Sequence, residues 1–424
     1  MTTEYAADLA TESCTAGRRT VAVIAPQHGC GYANALARRG RGTVAVVLSP
    51  TAGPPAHWSA ALDGRYTDVI EYTGDPHPVA ARLRAAGTEA VMPASPAGVE
   101  LAEKIAWKLG LPGSGAPRTA LLRTDHGAQA EALSQAGIAA PRTLCTTSLA
   151  EALAWTRSHR ASAYRLASPC IGVPAGPAEY VTRPSITAVW PQAQQTALRL
   201  GGDNALVIQE RVPGRQYVIC SATRSGPGGP QHTVTDIWAH AYAPTGLLDR
   251  IDLLHRYDLL ARRLSLHTHR VLDALGVASG PAVCHVAFDP DRGPVLLSAG
   301  VVTHRSLGDE ATWALTGHDP IDMTLDTTPR DRRRGTQHRR VTRIRLTAPL
   351  TSTLGSNLLP ADAELPTTVC IDAHPDSFIP GTEAQLPDGR TFEIVLAHEE
   401  PEAIERDCRR IHALAADLHR IRHR

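Results

Sequence analysis

The chain has 424 residues, 43% of them apolar and 20% charged, which fits a globular protein of roughly two to four domains and excludes a disordered one. Its formal net charge of +1 gives no electrostatic reason to expect nucleic acid or an acidic membrane surface as a partner. The N-terminal MTTEYAADLATESCTAG carries acids and lacks the apolar core of a signal peptide, and no apolar run nears the roughly 18–20 residues of a membrane span, so the expected location is the cytoplasm.

Residues 1–18 read as a disordered N-terminus. From residue 19 to 115 the pattern is an open α/β domain of Rossmann-like topology. The apolar runs TVAVIAP, GTVAVVLS, DVIEYTG and EAVMPAS alternate with the helical stretches GYANALARRG and PVAARLRAAG, as buried parallel strands do. The helix GVELAEKIAWKLGL closes this domain. The turn PQHGCG after the first strand is no GxGxxG and reads as a plain turn. From 116 the pattern changes. RTDHGAQAEALSQAG is a capped helix, and SLAEALAWTRSHRA opens with a capping box of Ser148 and Glu151. Short strands follow in SAYRLAS, AEYVTRP, ALVIQERV, QYVICSATR and TVTDIWAHAY. The helix DLLARRLSLHTHRVLDALG leads into the hairpin GPAVCHVAFDPDRGPVLLSAG, whose turn is Asp289-Pro290-Asp291-Arg292-Gly293. His267 and His269, two apart on that helix, read as its surface. A charged segment, TTPRDRRRGTQHRR, precedes a β-rich C-terminal region and an amphipathic last helix. The expected domains are thus 19–115, 116–330 in two subdomains (116–200 and 201–330), and 331–424.

Eight scattered cysteines show no CxxC spacing and fit thiols kept reduced. Of 43 basic residues only Lys104 and Lys108 are lysine. This arginine-for-lysine bias, with abundant Ala and Gly, points to a GC-rich genome, by composition an actinobacterial one. Both lysines read as a solvated helix face.

The ordered set of motifs resembles the ATP-grasp superfamily, most closely its carboxylate–amine ligases of peptide and natural-product biosynthesis. GVELAEKIAWKLGLPGSG is similar to the last helix of the family's N-terminal domain. RTDHGAQAEALSQAGIAAPRT resembles its Arg-Asp-Lys and following helix. LVIQERVPGRQYVICS resembles its adenine-hinge strand pair, and the hairpin with THRSLGDEATWALTGHDPI its metal-binding region. The resemblance implies an α/β (α+β) ATP-grasp architecture, with the Rossmann-like N-terminal domain and a small β-rich C-terminal domain. It also implies chemistry: ATP activates a carboxylate to an acyl phosphate, which an amine attacks. Two Mg²⁺ ions on acidic residues, phosphate-gripping lysines and a glycine-rich loop would stabilise the transferred phosphoryl group.

Aligned this way, the chain departs from the family at every part of that machinery. His126 and Arg165 stand at the two phosphate lysines. SPCIGVPAG, stiffened by Pro169 and Pro174, replaces the glycine-rich loop. The adenine hinge Gln209, Glu210, Arg211 and Val212 is kept, but Gln216 replaces the ribose acid. His285 and Ser298 occupy the metal-acid positions and Val302 an arginine position. Mg²⁺ favours carboxylate oxygens over imidazole or a lone hydroxyl. The turn acids Asp289 and Asp291 read as turn chemistry at the far end of the hairpin.

The leading expectation is a degenerate ATP-grasp protein that binds a small amino-acid-like molecule or partners an intact ATP-grasp paralogue. A repurposed enzyme is the second, with Arg165, His285 and His304 as its catalytic groups, His240 nearby, and zinc as a candidate ion. The third is an active ligase using ATP and Mg²⁺, with Arg165 for lysine and Asp289 or Glu310 for the metal acids. No metal ligand set is assigned. A homodimer is expected from the resemblance.

Overall fold

The computed structural model describes residues 19–26, 32–48, 66–111, 117–171, 180–201, 203–242, 248–302, 311, 313, 315–317, 319–325, 340–349, 365–374 and 389–421. The expected disordered N-terminus, the PQHGCG turn beyond Pro26, most of SPCIGVPAG, His304, Asp309 and Glu310 lie outside them. The chain divides into two compact units, Met1–Ala120 and Leu121–Arg424.

The first unit is a parallel sheet in the order β3-β2-β1-β4, from β1 (Thr20–Ile24), β2 (Gly42–Leu48), β3 (Asp68–Tyr72) and β4 (Thr88–Pro93). Every residue of β1 is buried, as the unbroken apolar run requires of a central strand. With α1 (Tyr32–Ala37) and α2 (Pro76–Ala85) stands α3 (Val99–Leu109), which buries Leu101, Ala102 and Ile105 against the sheet. It ends at Gly110 in the left-handed conformation, φ 67°. Lys104 pairs with Glu100 one turn away, and Lys108 lies 2.9 Å from His77, on the exposed face expected of both.

The second unit opens with the short α4 (Leu121–Thr124) and α5 (His126–Gln135). A three-stranded antiparallel sheet follows in the order β5-β7-β6, from β5 (Thr143–Thr146), β6 (Tyr164–Ala167) and β7 (Leu206–Glu210). Two helices, α6 (Leu149–Ser158) and α7 (Ile186–Gly201), cover it through Ala152, Ile186, Trp190, Ala193 and Ala197. Ser148 caps α6 as expected, but Glu151 reaches back to the Thr146 hydroxyl instead of the Ser148 N–H, which itself donates to Thr146. The pattern reading passed over α7, which carries Pro191 inside it; the apolar side chains at helical spacing outweigh that proline. AEYVTRP, expected as a strand, gives in its described residues a bridge of Val181 to Tyr164 and then a helical turn at Arg183–Ser185.

The second sheet has eight strands in the order β12-β11-β8-β9-β10-β13-β15-β14. They are β8 (Arg215–Gly226), β9 (Gly229–Tyr242), β10 (Leu248–Leu253), β11 (Gly280–Asp289), β12 (Gly293–Gly300), β13 (Arg340–Pro349), β14 (Thr368–His374) and β15 (Gly389–His398). The C-terminal strands thus continue the sheet through the β10–β13 pairing. On one face lie α8 (Leu259–Ala274), whose Arg263 sits over Phe288, and α10 (Pro401–Ile421), whose Ile404, Cys408 and Ile411 pack on Ile344, Ile394 and Leu396. His267 of α8, expected at the surface, is buried, and burial lowers its pKa to about 4; the helix tucks it towards the sheet with Leu264 and Val271. The short α9 (Pro320–Leu325) contacts β8 and β11. The opposite face of the sheet carries the candidate site.

Candidate active-site cleft

The stretch Arg123-Thr124-Asp125-His126 divides its labour. Arg123 is buried and donates to the carbonyls of Leu275 (2.6 Å) and Gly276 (3.3 Å) just past the end of α8, where a cation complements unpaired carbonyls and the helix dipole. Asp125 is the N-cap of α5, accepting from the Ala128 N–H at 2.8 Å. These two residues serve the scaffold. His126, the first residue of α5, is buried, and its N–H donates to the Pro169 carbonyl at 2.9 Å. One turn on, buried Gln129 donates to the Ala299 carbonyl (2.6 Å) and accepts the Ala299 N–H (3.0 Å). The amide thereby pairs with the edge strand β12 as another strand would. Because residues three apart share a helix face, this clamp also brings His126 towards β11 and β12.

The hairpin register is fixed: His285 faces Ser298 on β12 and Val218 on β8. Directly opposed residues of antiparallel strands share a sheet face, so His285, Ser298, Val218 and, across from it on β9, Trp238 line one surface. Cys284 points to the other face, fully buried, with its thiol pushed up to about 12 by burial. It is no partner for His285 in the cleft. Arg165 on β6 pairs with Gln209, the buried centre of the small sheet.

His126, Arg165 and His285 come together electrostatically. Burial lowers the His126 pKa to about 3, with the Arg165 guanidinium and then His285 adding to the effect. Burial, then Arg165, lowers His285 to about 4. Both imidazoles are therefore neutral at physiological pH, beside one permanent cation. This donor set does not fit Mg²⁺ with a triphosphate. One neutral imidazole, His285, and the Ser298 hydroxyl stand where the resemblance implies carboxylates, and neutral His126 leaves Arg165 as the one cation of the two expected phosphate positions. Among the described residues no group of three or more His, Cys, Asp or Glu is arranged to hold a metal ion.

Glu210, one of the residues expected at an adenine hinge, is already engaged by protein groups. Glu210 accepts from the Arg142 N–H (3.2 Å) and from Arg292 Nη1 (2.7 Å). Arg292 comes from the β11–β12 turn, where Asp289 accepts from the Asp291 and Arg292 N–H groups and from Arg292 Nε at 2.9–3.1 Å. Burial alone would raise the Asp289 pKa, but these hydrogen bonds outweigh it and hold the carboxylate below its ordinary range. Asp289 is turn chemistry, as its sequence suggested. Val212 is buried against Ala287 and Val295. Gly214 is obligatory: its φ is 102°, and a Cβ there would stand 2.0 Å from the Phe288 carbonyl oxygen.

Gln216 lies on the His285 face, opposite Ala287. Tyr242 Oη donates to its Oε1 at 2.6 Å, and His240 Nδ1 lies 3.2 Å from the same hydroxyl. His240, expected near the metal position, instead turns to Tyr242, because it sits two strands away from His285 across β8. Val302, at the arginine position, is buried. Sequence reasoning missed Gln129, Arg292 and Tyr242, and also a buried pair of Arg343 and Glu393 with Arg343 5.4 Å over the Trp238 ring, on this same face. All depend on side chains distant in the chain, with no local motif to announce them.

No family model matches the chain, and no curated protein matches it by sequence. Solved structures do. An L-amino acid ligase from Bacillus licheniformis superposes with a TM-score of 0.62 at 13% identity, covering 93% of this chain and 97% of that one. Carboxyaminoimidazole ribonucleotide synthase from Aspergillus clavatus, complexed with ATP, gives 0.66 at 12% identity, covering 94% and 99%. A biotin carboxylase–β-γ-ATP complex from Campylobacter jejuni gives 0.59 at 12% identity, covering 91% and 89%. The chain shares the ATP-grasp fold of these structures. Among the described residues no helix is long and apolar enough to cross a membrane.

Proposed function

We propose that this ATP-grasp-fold protein has left Mg·ATP-dependent ligation and uses its cleft to bind a small amino-acid-like molecule in a specialised-metabolite pathway, alone or beside an intact ligase. The observation that carries this reading is the joint placement of His126, Arg165 and His285. These three of the substitutions inferred from sequence act on one another electrostatically, and burial keeps both imidazoles uncharged. Arg123, Asp125 and Gly214, which hold the scaffold together, keep the residue types their structural roles demand. Loss of function at one place with retention of the frame is what relaxed demand on ATP chemistry, but not on folding, would produce.

Isothermal calorimetry with ATP and Mg²⁺, with and without an amino-acid mixture, tests the reading. The expected result is no heat at millimolar ATP. A dissociation constant near or below about 1 mM, roughly −4 kcal/mol, would sink it and restore the ligase.

A further inference from the structure

We propose that the outward face of α8 is a docking surface for an acidic amphipathic helix of a partner protein. The helix packs over Phe288, three residues from His285 and therefore on the other side of the pleat. The inference thus stands apart from any reading of what the cleft binds.

An amphipathic helix turns its apolar residues one way. In α8 the inward stripe is complete: Ala261, Leu264, Val271 and Leu272 are buried. Leu259 and Leu266 point elsewhere. They are 76% and 66% exposed, the two most exposed large apolar side chains among the described residues. Tyr257, just before the helix, is exposed as well. A spacing of seven sets the two leucines on one line about 10.5 Å apart. That is the repeat of a seam between two packed helices.

Arginines fill the rest of this face. Leu259, Arg263, Leu266 and Arg270 follow one another at steps of four, three and four, a single stripe, and Arg262 stands beside it. Arg263 lies 5.0 Å over the Phe288 ring. Among the described residues, none of these three arginines has an ion pair or a side-chain hydrogen bond. The helix's own exposed acids stand at its ends, Asp258 before Leu259 and Asp273 held by His232 at 3.1 Å.

Charge decides the occupant. A second copy docked antiparallel about Leu266 would set Arg262 against Arg270, and a parallel one would set each arginine against itself, so like charges oppose both. Two leucines with arginine between them make no continuous apolar face for a lipid interface, and a net charge of +1 gives no wider pull towards anionic headgroups. A helix with apolar residues on its seam and carboxylates beside it satisfies the leucines and the guanidinium groups together.

Binding of labelled synthetic peptides to the full chain, read by fluorescence anisotropy, tests this. The probe is a helix-forming peptide with leucine at the two seam positions of each heptad and glutamate beside them. Its controls are the same residues scrambled out of helical spacing, a counterpart with lysine for glutamate, and vesicles containing phosphatidylserine. The patterned acidic peptide is expected to bind more tightly than the scrambled and lysine peptides, and less tightly as salt rises. Arg262→Glu combined with Arg270→Glu is expected to weaken it by about tenfold and to gain the lysine peptide, which also shows that the double variant is folded. Leu266→Asn is expected to weaken the acidic peptide without changing its salt dependence. No binding of the patterned peptide, equal binding of the scrambled one, indifference to the charge reversal, or binding to the vesicles in place of the peptide overturns the proposal.

Discussion

His126 and His285 are imidazoles whose ionisation the fold suppresses, to about 3 and about 4. The unfolded chain, with ordinary histidines near 6.5, takes up protons first as pH falls. Their contribution to stability is therefore complete above about pH 6.5 and is lost progressively below it, towards the folded values. Each unit of depression is worth about 1.4 kcal/mol once the pH has fallen through it. Denaturant midpoints at pH 7.5, 6 and 5 should drop steeply in the parent protein and less steeply in a His126→Gln, His285→Gln double variant; equal slopes would contradict the burial argument. Gly214 offers a second residue-scale expectation. Gly214→Ala pushes a methyl group into the Phe288 carbonyl at a positive φ, so roughly 3 kcal/mol of stability or more should be lost, read from urea unfolding. At this scale the sequence was informative about which positions had changed and silent about why others had not. Asp125 announces a helix cap by its place before an amphipathic run, whereas Arg123 meets its carbonyl partners more than 150 residues away.

The decisive element is the β11–β12 hairpin together with the helix α5 that clamps it. Gln129→Leu leaves the Ala299 N–H and C=O without partners on an edge strand, at a cost of about 2–4 kcal/mol. Hydrogen exchange at the Ala299 amide should accelerate well before global unfolding; continued protection would mean that another group holds the strand. The hairpin itself was legible, because alternation and an Asp-Pro-Asp-Arg-Gly turn fix its ends, and a one-residue slip would turn His285 to the helix-covered face. Its docking onto α5 was not legible, since a glutamine that mimics a strand looks like any polar helix residue. The helix α7 was missed for the opposite reason: proline is a strong local signal, and the tertiary packing of Ile186, Trp190 and Ala193 overrides it. His240 shows a related limit: alternation along β9 sets it beside Tyr242, but only the strand order shows that β8 separates it from His285.

Across the whole molecule, both lysines fall on α3, in the first compact unit, and residues 121–424 contain none. A protease that cuts only after lysine can yield no more than the fragments 1–104, 105–108 and 109–424, so the entire second unit should survive as a single band on a gel, even after prolonged digestion. Amine-reactive cross-linkers likewise find no pair of side chains to join within that unit. The same absence bears on chemistry: an activated acyl group released into the cleft would meet no lysine of its own unit to modify, whatever the protein's present ligand proves to be.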